Sequence, residues 1–346
     1  MAIKNNFKWL VLIVVFSNTI NISCQHKKME KKYDWSATLS APEEYPVQVY
    51  RGEIIAKDYS QSLSGFGDIH YGWGEEGGTV VMGPDLKNLP DSLEIAWHSF
   101  VDQKNFEGKW ALPKEKLIKL FDEGIIDLST KKKSTYNKFI IGLAPNGLVV
   151  VWISVAGSQI EIAHFKAKEV VVNVETISED NKPIFSKKYN DVVLSELNEN
   201  HKTFERIKQN DYPKIDLYED YRIRYLWKPI VELSGNELLS DYVLQTYNGE
   251  VEVAFLNDSE QLNSQVKERG VLKYFAFGWT DKVQNKRNGC WLEKFDENEL
   301  FTAFKKFDAS EEVNVVIDVT DKSKISIKLK STKQEIEIKQ FKVTIE

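Results

Sequence analysis

The glycine-rich segment at residues 64–78 contains acidic residues, one histidine and one tryptophan. It is the strongest candidate in the sequence for a binding or catalytic site. A phosphate-binding loop would need glycines that lead from a strand into a helix N-terminus, and no lysine or helix-start signal follows here. A metal site could be drawn from four side chains, Asp68, His70, Glu75 and Glu76. One histidine among acids lacks the spacing of a known ligand set, so we predict no metal and interpret the segment as a turn between strands, with aromatic residues packed beneath it.

Nucleophiles and bases elsewhere in the sequence do not form a recognisable catalytic set. Cys290 could act as a nucleophile only with a base and an orienting group, and no motif supplies either, so we predict a buried structural thiol. His98 and His164 lie in predicted strands and His201 lies in a polar stretch, so we predict surface or edge positions for all three. We therefore predict no catalytic residues and no cofactor.

Tryptophans are the remaining candidates for contacts with a partner. Four of them recur in the two halves of the chain, Trp97 with Trp279 and Trp110 with Trp291. Residues that recur in both halves more often lie in the core than at a binding site, because each half must form its own core. Trp152 has Lys328 as its counterpart, so we predict an exposed contact at Trp152 and a second contact at Trp73 in the glycine-rich segment.

The N-terminus has the layout of a secretory signal, with lysines before an apolar run at residues 9–16 and small or polar residues up to Cys24. The run ends well before the roughly 20 apolar residues that a membrane-spanning helix needs. Cys24 and the residues before it resemble the lipobox of bacterial lipoproteins, although Asn21 stands where an apolar residue is usual. We predict a signal peptide at residues 1–23 and lipid attachment at Cys24.

Residues 24–32 are polar and basic, with nothing to bury, and are predicted to form a short tether to the membrane. Gln25 is not the aspartate that retains lipoproteins in the inner membrane of enteric bacteria, so we predict the outer membrane and leave the facing side open. The composition, with 42% hydrophobic and 28% charged residues and a formal net charge of -6, is globular and argues against nucleic acid. With Cys24 committed to lipid, Cys290 cannot form an intramolecular disulfide.

The chain behind the tether repeats itself without a gap in its last strands. The matching residues are Val149 with Ile325, Val151 with Ile327, Ile153 with Leu329, Ile160 with Ile336, Ile162 with Ile338 and Phe165 with Phe341. Strict alternation of apolar residues predicts half-buried antiparallel strands. We predict a first module at residues 33–175, a linker at residues 176–219 and a second module at residues 220–346.

Turn and cap residues indicate the elements within each module. Asn146-Gly147 favours a tight hairpin, and Asp321-Lys322-Ser323 would form a looser turn at the matching place. One short helix per module is expected, the first with Pro113 in its first turn and Gly124 past its end, and the second after Asp296, which forms a capping-box pattern with Glu299. In the linker, one helical side would carry Val193, Leu197, Phe204 and Ile207. The predicted fold class is mostly antiparallel β (α+β), with each helix packed on a sheet.

Several stretches of the first module together resemble the bacterial lipoprotein family catalogued as domain of unknown function 2931. They are residues 41–47 (Ala-Pro-Glu-Glu-Tyr-Pro-Val), residues 72–74 (Gly-Trp-Gly), residues 89–99 from Leu-Pro-Asp-Ser to His-Ser, and residues 145–147 (Pro-Asn-Gly). The second module keeps the tryptophans, the helix and the final strands but lacks the Leu-Pro-Asp-Ser stretch and the Gly-Trp-Gly region, so we treat it as a diverged second copy. The resemblance implies an envelope lipoprotein and assigns no activity or catalytic residue.

We therefore expect a non-catalytic envelope lipoprotein that binds a protein or glycan partner. One alternative is a hydrolase of envelope polymers, with carboxylates from acidic loops such as Glu75-Glu76 standing about 5 to 9.5 Å apart. Another is an immunity or inhibitor protein directed against a secreted effector.

Overall fold

Alternating apolar residues form strands in both halves of the chain, and most of the strand pairings are antiparallel, as the sequence predicts. The computed structural model describes residues 30–78, 83–127, 130, 132–235, 237–255, 265–281, 283, 286–321 and 324–346. Residues 32–346 make up the folded unit. The predicted signal peptide, Cys24 and most of the tether lie outside the described residues, as do Lys322 and Ser323.

The strands of the first half are β1 (Ser36–Ser40), β2 (Val47–Ala56), β3 (Tyr59–Ser62), β4 (Asp68–Ile69), β5 (Ser92–Ser99), β6 (Lys104–Ala111), β7 (Ile125–Ile126), β8 (Lys133–Ser134), β9 (Lys138–Ala144), β10 (Leu148–Val155), β11 (Ser158–Lys166) and β12 (Lys168–Val170). Those of the second half are β13 (Tyr225–Glu232), β14 (Glu237–Thr246), β15 (Val251–Phe255), β16 (Lys267–Arg269), β17 (Leu272–Asp281), β18 (Lys286–Glu293), β19 (Val313–Asp318), β20 (Ser326–Lys330), β21 (Glu335–Ile338) and β22 (Lys342–Ile345). The helices are α1 (Lys114–Glu123), α2 (Lys187–His201), α3 (Thr203–Lys208), α4 (Leu217–Asp220) and α5 (Glu297–Phe304).

A nine-stranded sheet runs through both halves in the order β1-β9-β10-β11-β15-β14-β17-β18-β22. A second sheet, β12-β6-β5-β2-β3 with β4 also paired to β2, belongs to the first half. A third, β16-β13-β19-β20-β21, belongs to the second half. One apolar core lies between the second sheet and the first-half strands of the long sheet, and the other core lies between the third sheet and its second-half strands. The fold is mostly β with a few short helices.

The strand pairings of the first half recur in the same order in the second half. The parallel pair β1–β9 corresponds to β13–β19, and the antiparallel run β9-β10-β11 corresponds to β19-β20-β21. The order β3-β2-β5-β6-β12 likewise recurs as β15-β14-β17-β18-β22. The sequence matches in the last strands therefore extend to the whole topology.

Both predicted helices form where their cap residues indicate. Helix α1 lies between Pro113 and Gly124, and Gly124 is required because an added Cβ would stand 2.2 Å from the carbonyl oxygen of Ser134. The carboxylate of Asp296 caps α5 by accepting a hydrogen bond from the backbone N–H of Glu299 at 2.7 Å. The capping box is incomplete, because the carboxylate of Glu299 accepts hydrogen bonds from the backbone beyond β21 instead.

The predicted tryptophan equivalences hold for one pair and fail for the other. Trp97 and Trp279 are both fully buried, and each lies opposite a bulge in the neighbouring strand. Trp110 pairs with Leu93, four residues before Trp97, whereas Trp291 pairs with Ala276, three residues before Trp279. Side chains along a strand alternate between the two faces of the sheet, so Trp110 lies on the same face as Trp97, whereas Trp291 lies on the face opposite to Trp279. Trp110 and Trp291 are therefore not counterparts.

The linker contains helices α2, α3 and α4, and α2 covers the outer face of the second sheet. Val193 of α2 packs in a small apolar cluster with Tyr50, Ala96 and Phe100. The predicted single helical side is wrong for Phe204, which is 53% exposed, and Ile207 is exposed as well. Lys202 adopts a left-handed φ of 51° between α2 and α3, and this break turns α3 out of the line of α2.

Tyrosines of the linker contact both halves. Tyr212 and Tyr218 stack edge-on against Tyr45 of the first half, with ring centroids 5.3 and 6.1 Å away. Tyr218 also contacts Tyr221 of the second half, with ring centroids 5.6 Å apart. The linker therefore belongs to the packed unit. In the part of the chain that the structure describes, no helix is both long enough and apolar enough to cross a membrane.

Candidate functional site

The two halves meet at a seam between β11 and β15, where the long sheet is held by very few backbone contacts. Among the described residues, Gln159 and Val251 are the one paired position between these strands. A cleft of about 690 Å³ opens over this position and is lined by both halves. We call it the seam cleft. A cavity formed between two parts of a fold is a common place for a ligand.

A row of paired residues crosses the floor of the seam cleft from strand to strand. Lys138 of β9 pairs with Ser154 of β10, and Ser154 pairs with Gln159 of β11. Gln159 pairs with Val251 of β15, and Val251 pairs with Gln245 of β14. Paired residues point to the same face of a sheet, so these five side chains form one transverse row. All five line the cleft.

Gln159 holds the seam together through its side chain. The buried amide nitrogen donates hydrogen bonds to the carbonyl oxygens of Gly74 at 2.7 Å and Gly249 at 2.6 Å. Gly74 has a φ of +82°, and a Cβ there would stand 2.7 Å from the Cα of Gly249. The glycine-rich segment is therefore a site of close backbone approach, where it meets the turn that joins β14 to β15.

Trp152 and Trp73 are buried, so the prediction that Trp152 is an exposed partner contact is wrong. Trp152 is 0% exposed, and its indole N–H donates to the carbonyl oxygen of Asn248 at 3.1 Å. Trp73 is 6% exposed and meets Trp152 edge-on at a centroid distance of 5.0 Å. The outer face of β10 is covered by the loop that carries Trp73 and by Tyr218 of the linker, so β10 is buried on both faces. Both tryptophans act as packing groups of the seam.

Some polar and charged side chains around the row form hydrogen bonds within the described part of the chain, and others form none. The carboxylate of Glu76 accepts hydrogen bonds from Lys138 and, at 3.2 Å, from the hydroxyl of Ser154. Within the described part of the chain, the side chains of Gln245 and Glu75 make no hydrogen bond or ion pair. The exposed Lys273 also lines the cleft without a hydrogen bond or ion pair to any described residue.

Ion pairs also support the seam, and one of their acids, Glu250, lines the cleft. Glu250 accepts a hydrogen bond from Arg224 at 2.8 Å and another from the backbone N–H of Glu161 at 3.0 Å. Burial favours a higher pKa for Glu250, but the guanidinium of Arg224 holds it below its usual value. Burial acts in the same direction on Glu252, yet Arg269 lowers the pKa of that carboxyl to about 2. Both acids stay ionised and hold their strands in place.

The side chains considered for a metal site do not converge. Asp68 and His70 form a pair 3.3 Å apart, whereas Glu75 and Glu76 line the seam cleft. Within the described ranges, no three histidine, cysteine, aspartate or glutamate side chains are grouped as metal ligands would be.

The prediction for Cys290 is confirmed, whereas the prediction for the histidines is wrong for one of them. Cys290 is buried, as predicted, and burial raises the pKa of its thiol to about 12. The prediction of a surface or edge position is wrong for His98, which α2 covers and which lies 2.9 Å from the side-chain oxygens of Asn105 and Asn190. His164 is exposed, and its Nδ1 lies 2.6 Å from Arg222.

The residues that build the seam cleft were missed in the sequence, except for the glycine-rich segment. Gln159 and Gln245 are isolated amides in alternating strands, and such residues usually face solvent. The one available signal was the concentration of glycines at residues 64–78, since close backbone approach is a standard reason for glycine.

Comparison with known proteins gives a single match. The model of the family described as Protein of unknown function (DUF2931) matches residues 23–214, a range that includes the first half and helices α2 and α3 of the linker. No curated protein matches the chain, and no solved structure matches it.

Proposed function

We propose that this chain, which belongs to the DUF2931 family, is a non-catalytic envelope lipoprotein that binds a protein or glycan partner in the seam cleft. We further propose that its second half is a diverged second copy of the family domain. The recurring strand pairings support the second statement. The family match ends at residue 214, before the second half begins.

The observation that carries the proposal is the unused bonding capacity of the seam cleft. Gln245, Glu75 and Lys273 present an amide, a carboxylate and an ammonium toward one cavity, and none is hydrogen-bonded or ion-paired within the described residues. A binding site usually has a preformed shape and a small number of polar groups at defined positions. The cavity also needs both halves, since β11 and β15 supply its floor.

Two of the three carboxylates among the described residues that line the cleft are engaged by cations, which favours binding over catalysis. A glycoside hydrolase needs one carboxyl group that stays protonated, with a raised pKa, beside one that is ionised. Glu76 is engaged by Lys138, and Glu250 is held ionised by Arg224. Burial raises the pKa of Asp102 and of Glu297, but neither residue lines the cleft. No specific observation favours the hydrolase, or the immunity role, over binding.

Lipid attachment at Cys24 would keep the cleft near a membrane. The eight residues between Cys24 and Tyr33 span at most about 30 Å when fully extended. Tyr33 is fixed to the folded unit by two backbone hydrogen bonds with Lys87 of 2.9 and 3.0 Å. The tether would therefore hold Tyr33 within about 30 Å of the lipid anchor.

Site-specific photo-crosslinking in native membranes tests the binding proposal. A crosslinking amino acid at Gln245 should capture a discrete partner, and the same amino acid at Asn298, exposed on α5, should not. Identical adducts at both positions, or none at Gln245, would count against the cleft. Separately, Cys24→Ala should abolish metabolic labelling with a fatty acid, and unchanged labelling would refute the anchor.

A further inference from the structure

We propose that the seam cleft recognises an extended polypeptide segment of a partner protein, with a basic group at one end and an acidic group at the other. This inference rests on the proposed function, and it names the chemical class of the partner. A peptide is favoured by the shape of the cleft floor, by the positions of the charges and by the lack of a sugar-stacking surface among the described residues.

The floor is long enough for an extended chain, and apolar side chains lie beside its row of mostly polar residues. Neighbouring strands lie about 4.8 Å apart, so the row from Lys138 to Gln245 spans about 19 Å, which about six extended residues would cover. Beside the row, Val243 of β14 pairs with Val253 of β15, and both side chains line the cleft. Small aliphatic side chains next to amides and hydroxyls can accept apolar side chains and hydrogen-bond a peptide backbone at the same time.

Opposite charges stand on the two sides of the seam. Glu76 is joined to Lys138 of β9 and Gly74 to Gln159 of β11, so Glu75 between them lies on the first-half side. Lys273 lies on β17, the strand beyond β14, and so stands on the second-half side. Glu297 attracts Lys273 electrostatically without forming an ion pair within 4.0 Å. Since Lys138 compensates Glu76, the two charges open to a partner are the Glu75 carboxylate and the Lys273 ammonium.

A glycan fits these walls less well than a peptide. Sugar rings commonly pack on an exposed aromatic face, which combines apolar area with polar edges. Trp73 is the one aromatic side chain among the described residues that line the cleft, and it is 6% exposed because Trp152 and Tyr218 cover it. The cleft therefore offers hydrogen bonds and charges without a stacking surface.

A random linear peptide library displayed on phage, panned against the full mature chain, provides the probe. We expect enriched peptides that carry a basic residue and an acidic residue about six positions apart. Lys273→Glu should weaken their binding about fivefold to tenfold, because it replaces an exposed ion pair with a repulsion. Exchanging the acidic residue of the peptide for lysine should restore binding to this variant. The matched control is Lys305→Glu, an exposed lysine after α5, which should bind like the wild type.

Each other outcome has a distinct meaning. Enriched peptides that are insensitive to Lys273→Glu would overturn the inference. If no peptide is enriched and a glycan array instead shows ligands whose binding depends on Gln245, the peptide inference fails while the proposed function stands. If neither library shows binding that depends on the cleft, both fail. A thermal melt of each variant confirms that the folded unit is intact.

Discussion

Removal of the Gln159 side chain should weaken the seam by an amount that the structure allows to be worked out. Gln159→Ala removes two hydrogen bonds and leaves the carbonyl oxygens of Gly74 and Gly249 without that donor in a buried position. One net hydrogen bond contributes about 1 kcal/mol, and a buried group left unsatisfied costs about 1–3 kcal/mol. We therefore expect a loss of about 2–4 kcal/mol in the free energy of unfolding.

Thermal unfolding measures this loss against a matched control. With an unfolding entropy of about 2.1 cal/mol/K per residue, the folded unit of residues 32–346 should lose about 3–6 °C in Tm. Gln245→Ala is the control, because Gln245 stands in the same row and its side chain has no hydrogen bond to a described residue. It should change the Tm by less than about 1 °C. Equal effects of the two substitutions would refute the assignment of Gln159 as the residue that holds the seam.

Three further predictions address other buried groups. Asn190→Ala should cost about 2–4 kcal/mol and speed amide hydrogen exchange in α2, because Asn190 hydrogen-bonds His98 beneath the helix and the backbone before it. Glu252 has a pKa lowered from 4.5 to about 2, so its pairing with Arg269 stabilises the fold above pH 4.5, and that contribution is lost as pH falls toward about 2. Glu252→Gln should therefore show a smaller loss of stability than the wild type over this range in acid titrations. Cys290 should react with a thiol reagent only after unfolding, since burial raises its pKa to about 12.

Each of these predictions has a clear contrary result. Unchanged exchange in α2 after Asn190→Ala would show that apolar packing alone holds the helix. Parallel acid-stability curves for Glu252→Gln and the wild type would show that the ion pair contributes nothing. Rapid labelling of Cys290 in the native protein would show that its strands open readily.

Local elements could be predicted because their signals lie within a few residues of one another. The hairpin at Asn146-Gly147 joins paired strands, and Asn146 has the positive φ of 59° that the dipeptide favours. The caps at Gly124 and Asp296 mark a helix end and a helix start for the same reason. These are backbone requirements that only a few residue types satisfy, so they can be recognised without knowledge of the rest of the chain.

Burial on the second face of a strand could not be predicted in this way. Val150 and Trp152 alternate with the inward residues of β10, and the comparison of Trp152 with Lys328 predicts exposure at Trp152, yet a loop about eighty residues earlier in the chain and the linker cover this face. His98 is buried for a similar reason, because α2 lies over its strand. Alternation along a strand indicates which face packs against the core of its own half. It does not indicate what covers the other face.

The sequence by itself determined the class of the fold, the strand and helix positions near strong signals, and the family membership of the first half and much of the linker. Only the tertiary structure decided where the candidate site lies. The seam cleft joins Glu75, Gln159, Gln245 and Lys273, which are far apart along the chain and belong to different halves. Their proximity depends on the contact between β11 and β15 and on the loop contacts and ion pairs that close the seam. A strand edge can pair with many others, so its actual partner is decided by the packing of the whole unit.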